Sequence, residues 1–499
     1  MNRVSNVIKE IKKTMKLFNF KKKTIDTKYL KKTNNFFSSP HNFFFINGAI
    51  LKKLEILEID QKFINSGIKF LIDHQNINGS FDEWYANENS FCASAYTGYY
   101  LSNLINEKIN VNFKEDILTC LKKLNRYLDN KSNFTNLNQE LAKFGFQSKF
   151  QKRYDPKYLN LILKKTLEYE NFEYGGIDLG YLSVNLMILS DLLTNKFNNK
   201  LFNIFKYQLD IYSKITNNFK NFPNYIFSRS SRIVMLSGFL YAHKKGLISN
   251  LEFDNTYQNY IRSLKNYIKK KDKKYLSFFF SGDFVNIISV SQVKYERHNL
   301  KKKINIIPRY RSFIINKDKS LNFYLANSNI LALNSKKNTK YFFDTNLNYL
   351  NKKYIPKINE RFDFYGKKIF SKNLFIEVKN FKFLKKNLNS ITYISKYIGL
   401  GNFIKSLGKK LLINHKTAKN MASYRKISFH GKKIYIQETI IVKKNFIPKL
   451  ISLSLDKEQF YFSPTSFINK KDLGVFLNYK KKVYNKMKYS IHKISYECS

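Results

Sequence analysis

The segment WYANENSFCASAYTG, residues 84–98, decides the predicted fold, because a polar, aromatic loop leads directly into a helix that carries small residues. Two later segments, EYGGIDLGY at 173–181 and FSRSSR at 227–232, repeat this arrangement and are also followed by small residues. Small residues on one helix face allow neighbouring helices to approach closely. Repeated helical hairpins of this kind predict a solenoid closed into an α/α barrel, with the polar loops gathered at one mouth.

Amphipathic helices are predicted around these units. Ile117, Leu121, Leu124 and Leu128 recur every three or four residues, as one face of a helix does. The same spacing occurs around Tyr158–Leu163 and Leu186–Leu193, and short polar breaks separate the three stretches.

The pattern changes near residue 272 to short β-branched and aromatic runs separated by Lys and Asn turns. The runs lie at residues 275–279, 284–288, 312–315, 340–343, 373–378 and 433–442. Many strands without long helices between them favour an antiparallel sandwich over a parallel sheet. The segment Lys396–Ile413 fits either a helix or two strands.

The predicted fold class is therefore α+β and multidomain. An N-terminal α/α toroid, an incomplete helical barrel, is followed by an antiparallel β-sandwich. The predicted domains are a basic N-terminal extension at 1–40, the toroid at 41–272 and the sandwich at 273–499.

Composition limits the classes of function. The 499 residues include 89 Lys and Arg against 36 Asp and Glu, a net charge of +53. The hydrophobic fraction of 43% excludes a disordered chain, and three distant cysteines exclude a disulfide scaffold or a four-cysteine metal cluster. Lys is spread over nearly the whole length, as an A/T-rich genome would produce. The charge is therefore no sign of nucleic-acid binding in particular, although it favours weak adhesion to any polyanion.

The N-terminal segment has two interpretations. It is basic, and its apolar residues fall roughly at helical spacing, so it forms either a helix on an anionic membrane surface or a helix docked on the following domain. It lacks the continuous apolar core of a secretory signal, and no stretch of the chain approaches the ~20 apolar residues of a membrane span. We therefore expect a cytoplasmic location.

One string adds a resemblance. GSFDEWYANENSF at residues 79–91, together with 173–181 and Ser228–Ser230, resembles the heparinase II/III-like group of polysaccharide lyases. That resemblance implies a helical toroid joined to a β-sandwich, and β-elimination on an acidic polysaccharide. In such chemistry a Tyr or His removes the proton next to a uronate carboxylate, while an Asn, Arg or protonated acid neutralises that carboxylate. Related sequences commonly have a His where this chain has Asn89.

The resemblance and the loop composition give the candidate site residues. The predicted catalytic residues are Tyr174, Asp178, Glu88 and His298. The predicted substrate-binding residues are Asn87, Trp84, Tyr85, Tyr181, Arg229 and Arg232. Arginine binds carboxylates in a bidentate manner, and Trp and Tyr rings stack on sugars.

Each candidate also has a structural interpretation. The polar residues at 87–90 and Asp178 are typical helix caps, and the two arginines are equally typical of surface ion pairs. Trp84 and Tyr181 suit a core position, and His298 an exposed loop.

The predicted function is the handling of an acidic polysaccharide or oligosaccharide, by lyase-type β-elimination. The alternatives are a catalytically inactive glycan-binding or scaffold protein in surface polysaccharide biosynthesis, and a nucleic-acid-binding protein. No metal-ligand set and no cofactor fingerprint occur in the sequence, so neither is predicted. The oligomeric state stays open.

The toroid interpretation makes one geometric prediction. Inner helices of an α/α toroid run in the same direction, so the loops that precede them open at the same end. Glu88, Tyr174, Asp178 and Arg229 should therefore line one cavity, although they belong to different hairpins.

Overall fold

Helices and strands occupy separate parts of the chain. The computed structural model of the protein describes residues 2–15, 43–83, 87–107, 109, 113–134, 136–152, 154–169, 178–216, 233–271, 275–296 and 403, and the strands between 312 and 498. The chain divides into two compact units. The first contains residues 1–213, 231–307 and 396–402, and the second contains residues 214–230, 308–395 and 403–499.

Helices dominate the first unit. They are α1 (Asn2–Met15), α2 (Phe43–Lys53), α3 (Gln61–Asp73), α4 (Phe91–Asn106), α5 (Lys114–Asp129), α6 (Leu137–Phe150), α7 (Pro156–Tyr169), α8 (Leu179–Asn195), α9 (Asn199–Thr216), α10 (Ser237–Lys244), α11 (Asn250–Lys269), a π-helix (Leu276–Phe280) and α12 (Ser281–Ser291). The stretches predicted from Ile117, Tyr158 and Leu186 lie in α5, α7 and α8.

The even-numbered helices form a closed ring. Each contacts the next, from α2 through α4, α6, α8 and α10 to α12, and α12 contacts α2 again. Helices α4 and α8 are buried on nearly every side, whereas α5 is buried only along one face. Helices α3, α5, α7 and α11 each pack on the ring helix that precedes them, and α1 packs on α12. The ring helices are thus an inner layer, and because an outer helix returns the chain each time, they run in one direction.

Close contact within the ring depends on small residues, as Gly238 shows. A Cβ atom at this position of α10 would lie 2.6 Å from the Cβ of Leu186 and 2.8 Å from its carbonyl oxygen, in α8. Atoms that are not bonded to each other do not approach so closely, so glycine permits the observed spacing of α8 and α10.

A buried polar cluster joins three ring helices. Asp191 in α8 accepts hydrogen bonds from the Tyr99 hydroxyl of α4 and the Lys149 ammonium of α6. Asn195 donates to the other carboxylate oxygen over 2.9 Å, and the Lys149 ammonium lies 4.4 Å from the centre of the Tyr99 ring. The side chains of Lys149 and Asp191 are only 6% and 8% exposed. Such a pair is tolerated inside a protein because each charge is matched and hydrogen-bonded.

Antiparallel strands follow in the second unit. They are β1 (Ser312–Asp318), β2 (Leu321–Ala326), β3 (Asn329–Asn334), β4 (Thr339–Phe342), β5 (Asn346–Tyr349), β6 (Lys352–Ile358), β7 (Ile369–Val378), β8 (Lys416–His430), β9 (Lys433–Lys443), β10 (Leu450–Ser452), β11 (Leu477–Asn485) and β12 (Tyr489–Cys498). One sheet has the order β1-β2-β3-β4, and the other has the order β10-β5-β6-β7-β8-β9-β12-β11. Strands β8 and β9 pair without a register shift from Met421↔Val442 to His430↔Lys433.

The predicted fold class, with a β-sandwich after the helical toroid, is wrong. The part of the chain whose side-chain packing is described, almost entirely residues up to 296, is mostly helical and contains no sheet. The segments 275–279 and 284–288, predicted as the first strands, lie in the π-helix and in α12. No described residue shows the two later sheets packed face to face, which is what a sandwich requires.

The physical reason lies in the burial of these two segments. Every residue of the π-helix is buried, and so are Ser281–Ile287. A helix that is buried all round has a continuous apolar sequence without helical periodicity, and such a run cannot be distinguished from a buried strand by pattern alone. Of the segment Lys396–Ile413, only the exposed Phe403 lies among the described residues.

Candidate functional site

The loop before α4 is anchored on α5 by its first turn. Gly79 has a φ of 87°, in the left-handed region, and a Cβ atom there would lie 2.4 Å from the carbonyl oxygen of Lys123. The Gln75 amide donates over 2.9 Å to the carbonyl oxygens of both Gly79 and Cys120. The turn is therefore fixed between two helices before the polar loop begins.

Asp82 organises the rest of this loop. Its carboxylate accepts hydrogen bonds from the backbone N–H groups of Asn87 and Asn89, over 2.8 and 2.9 Å, and from the Asn76 amide over 2.9 Å. Asp82 is 5% exposed, and Asn87 and Asn89 both have positive φ values. Asp82 was not among the predicted site residues. Its signal is an acid directly after a glycine turn, followed by several Asn residues that tolerate left-handed backbone.

Glu88 and Asn87 occupy different surroundings in this loop. Glu88 is buried, and its carboxylate accepts a hydrogen bond of 2.7 Å from the backbone N–H of Glu83. Asn87 is exposed at the tip of the loop. The next helix is capped by Ser90, whose hydroxyl accepts from the backbone N–H of Ala93. The helix cap, predicted as the structural role of residues 87–90, is therefore present at Ser90.

Asp178 caps the start of α8, as Ser90 caps the start of α4. It is fully buried, and its carboxylate accepts a hydrogen bond of 3.1 Å from the backbone N–H of Tyr181, the N-cap geometry. Tyr181, in the first turn of α8, is half-buried, and its ring centre lies 6.0 Å from that of Phe279 in the π-helix.

The N-terminal halves of α4 and α8 meet at the π-helix. The ring of Phe279 contacts Tyr181 of α8 and also Tyr96 of α4, whose ring centre lies 6.2 Å away. Because the ring helices run in one direction, the loops before α4 and α8 open at the same end. We call this region, defined by Asn87, Tyr96, Tyr181 and Phe279, the ring end.

Hydrogen bonds join the start of α10 to α12 and to α8. Asp283, in the first turn of α12, accepts from the backbone N–H groups of Leu236 and Ser237 over 2.9 and 3.0 Å, and from the Ser237 hydroxyl. The hydroxyl of Ser183 in α8 accepts from the backbone N–H of Met235 over 2.9 Å. Side chains of the neighbouring helices thus satisfy the N–H groups at the start of α10.

Asp283 has an unusual protonation equilibrium. Burial raises the pKa of this carboxyl from 3.8 to about 6, although the hydrogen bonds from Ser237 and Leu236 act in the opposite direction. It was not among the predicted site residues. The signal that could have identified it is an acid near the start of an otherwise apolar helix, in the sequence SGDF.

The remaining predicted site residues lie outside the described part of the chain. They are Tyr174, His298, Trp84, Tyr85, Arg229 and Arg232. The described members are Asn87 and Tyr181, at the surface of the ring end, and Glu88 and Asp178, which are buried beside it.

Among the described residues, no group of three or more His, Cys, Asp or Glu side chains is placed to hold a metal ion. In that same part of the chain, no helix combines the length and apolar character needed to cross a bilayer. Val7 of α1 is 1% exposed and α1 contacts α12, so the N-terminal helix is docked on the first unit.

Comparison of the chain with protein-family models, curated proteins and solved structures finds no match. The resemblance to heparinase II/III-like proteins therefore stands on the sequence strings alone.

Proposed function

We propose that the protein binds an acidic polysaccharide at the ring end. The observation that carries this proposal is the contact of Phe279 with both Tyr96 and Tyr181, which joins the N-terminal halves of α4 and α8. Tyr181 is partly accessible and offers a ring on which a sugar can stack, and Asn87 adds an amide for hydrogen bonds.

Binding is favoured over cleavage by the contacts of the two described carboxylates. Glu88 accepts the N–H of Glu83, and Asp178 accepts the N–H of Tyr181 at a helix cap. Carboxylates held in this way stabilise a loop and a helix, which is a structural role rather than proton transfer to a sugar. The resemblance to heparinase II/III-like lyases supports the class of ligand, an acidic glycan. A cytoplasmic location stays a prediction from the sequence.

A panel of uronic-acid polymers tests the proposal through direct binding measurements. We expect Tyr181→Ala to weaken binding about fivefold, because one aromatic contact is worth about 1 kcal/mol. Asn87→Gly removes the amide but keeps the left-handed backbone available, and should weaken binding by a similar factor. The matched control is Tyr295→Ala, since Tyr295 is 50% exposed and lies just beyond the other end of α12.

Three outcomes would contradict the proposal. One is absence of binding to every polymer of the panel, and another is an equal loss of affinity in Tyr295→Ala. The third is the appearance of absorbance from new unsaturated ends during the incubation, which would make the protein a lyase rather than a binding protein. Tighter binding to single-stranded nucleic acid than to any glycan, unchanged in Tyr181→Ala, would favour the nucleic-acid alternative.

A further inference from the structure

The larger sheet of the second unit has two chemically different faces. Strands β7, β8, β9, β12 and β11 lie side by side in it, and their antiparallel registers bring residues of all these strands into common rows. Because successive residues of a strand alternate between the two faces of a sheet, every second row belongs to the same face. The register therefore assigns each residue to a face.

Two neighbouring rows on one face are rich in lysine, and we call them the basic face. The first row is Lys372, Tyr424, Thr439, Lys493 and Lys482, and the second row is Phe370, Lys426, Gln437, Ser495 and Lys480. Neither row contains an acidic residue, and Glu497 follows only in the next row of this face. Neighbouring strands are ~4.8 Å apart, so the lysines of both rows lie within a patch about 20 Å wide.

The opposite face carries apolar residues of the same strands. Between the two lysine rows and on either side of them, the register places on that face Ile427, Ile436, Ile440, Val442 and Ile494. An antiparallel sheet with such a pattern packs its apolar face on a core and turns its polar face to solvent. We therefore expect the basic face to be the accessible one.

The exposure of individual residues agrees with this expectation. Among the strand residues whose packing the structure describes, Lys493 is exposed, and Thr439 and Ile441 are half-buried. Lys493 and Thr439 are register partners in the first lysine row, and Ile441 lies two positions further along β9 on the same face. All three thus belong to the basic face, and a partner can reach it.

The kind of cation favours phosphate over carboxylate as the bound anion. Arginine matches the two oxygens of a carboxylate with its planar fork, whereas lysine acts as a point charge and is a common phosphate binder. Both rows of the basic face contain lysine and neither contains arginine. Arg425 belongs to the opposite face, where its register partner is Glu438.

Two aromatic residues stand among these lysines. Phe370 of β7 and Tyr424 of β8 are diagonal neighbours on adjacent strands. Aromatic rings stack on the unpaired bases of a single strand with little regard to sequence, while lysines neutralise its phosphates. A double helix hides the faces of its bases, so it would use the lysines alone.

We propose that the basic face binds single-stranded nucleic acid, with its phosphates on the lysines and its bases on Phe370 and Tyr424. The sorting of charge between two faces of one sheet carries this assignment, because a compositional excess of lysine would load both faces alike. The basic face shares no residue with the ring end, so each can bind its own ligand.

Fluorescence anisotropy of a labelled oligothymidylate, titrated with the full chain at several salt concentrations, tests the proposal. Tyr424→Ala should weaken binding at least about fivefold, the effect of one lost stacking contact. Lys482→Gln should reduce the slope of log affinity against log salt by about 0.7, the contribution of one phosphate contact on a single strand. The matched control is Lys481→Gln, which removes the same charge from the adjacent position of β11 on the opposite face and should leave the slope unchanged.

Lys482→Gln keeps the test informative if Tyr424→Ala does not fold, because β11 is the edge strand of its sheet and tolerates a polar substitution. Tyr181→Ala should leave oligothymidylate binding unchanged, so this proposal and the one for the ring end can fail separately. Absence of binding, or equal effects of Lys481→Gln and Lys482→Gln, would overturn the proposal. A uronic-acid polymer or phosphatidylserine vesicles whose binding Tyr424→Ala weakens while oligothymidylate binding is unaffected would assign the basic face to that partner instead.

Discussion

At the scale of single residues, the same side chains serve two purposes that a sequence cannot separate. Glu88 and Asp178 were predicted to transfer protons, and both accept backbone N–H bonds beside a helix start. Asp82, which accepts two backbone N–H bonds in the same loop, was not selected at all. Asp, Asn and Ser cap helices and also bind sugars, so their identity does not decide their role. Only the positions of the neighbouring N–H groups decide it, and those depend on the fold.

Asp283 gives a prediction about pH. Its pKa is about 6 in the folded protein against 3.8 for a free carboxyl, so between about pH 4 and 6 the folded state holds a proton that the unfolded chain has released. Stability therefore falls as the pH rises through this window, and the loss is complete above it. The full effect is about 3 kcal/mol, from roughly two pKa units.

Urea unfolding of wild-type protein and Asp283→Asn at pH 4.5 and pH 7 measures this effect. The variant has nearly the same size and cannot ionise, so the other titrating groups cancel in the comparison. We expect the wild-type protein to lose stability relative to the variant as the pH rises. Parallel behaviour of the two proteins would show that Asp283 titrates normally.

At the scale of elements, periodicity predicted α5, α7 and α8 but not the π-helix and α12. Helix α5 is buried along Ile117, Leu121, Leu124 and Leu128, the face that the sequence analysis identified. The π-helix and α12 were taken for strands, because complete burial removes the alternation of polar and apolar residues that periodicity needs. Burial on all sides is a property of the ring, and the ring is not visible in any single segment.

Gly238→Ala tests the close contact of α8 and α10. The added methyl group would meet the backbone of Leu186, which cannot move aside, so we expect a loss of about 1–3 kcal/mol in the free energy of unfolding. That loss outweighs the gain in helix propensity, which is at most about 1 kcal/mol.

Gly48→Ala is the matched control for this substitution. Gly48 also lies in a ring helix, but a Cβ atom there would meet only the side-chain end of Ile59, at 3.1 Å. This variant should be as stable as the wild type to within about 1 kcal/mol. If thermal or urea unfolding finds the two variants equally stable, glycine at 238 is not needed for packing.

At the scale of the whole molecule, the charge of +53 contributes to every encounter with a polyanion. We expect the affinity for a uronic-acid polymer to fall at least about tenfold between about 50 and 200 mM salt, because exposed charges are screened. Aromatic stacking at Tyr181 is not screened, so the ratio of wild-type to Tyr181→Ala affinities should stay constant over that range. If this ratio approaches one at high salt, Tyr181 does not contribute to binding and only unspecific charge attraction is left. A neutral polymer serves as the control for charge.

Closure of the ring governs how the first unit can fold. The Asn47 amide of α2 donates over 2.8 Å to the Ser281 hydroxyl of α12, across 234 positions of sequence. All other neighbours in the ring follow one another closely along the chain, so they can assemble stepwise from local contacts. The contact between α2 and α12, which we call the seam, cannot form from local contacts. It joins two segments that are distant in sequence, and they are brought together only when the intervening helices are in place. We therefore expect closure of the seam to be the slow step of assembly, and we expect a chain that stops short of α12 to expose two open helix faces to aggregation.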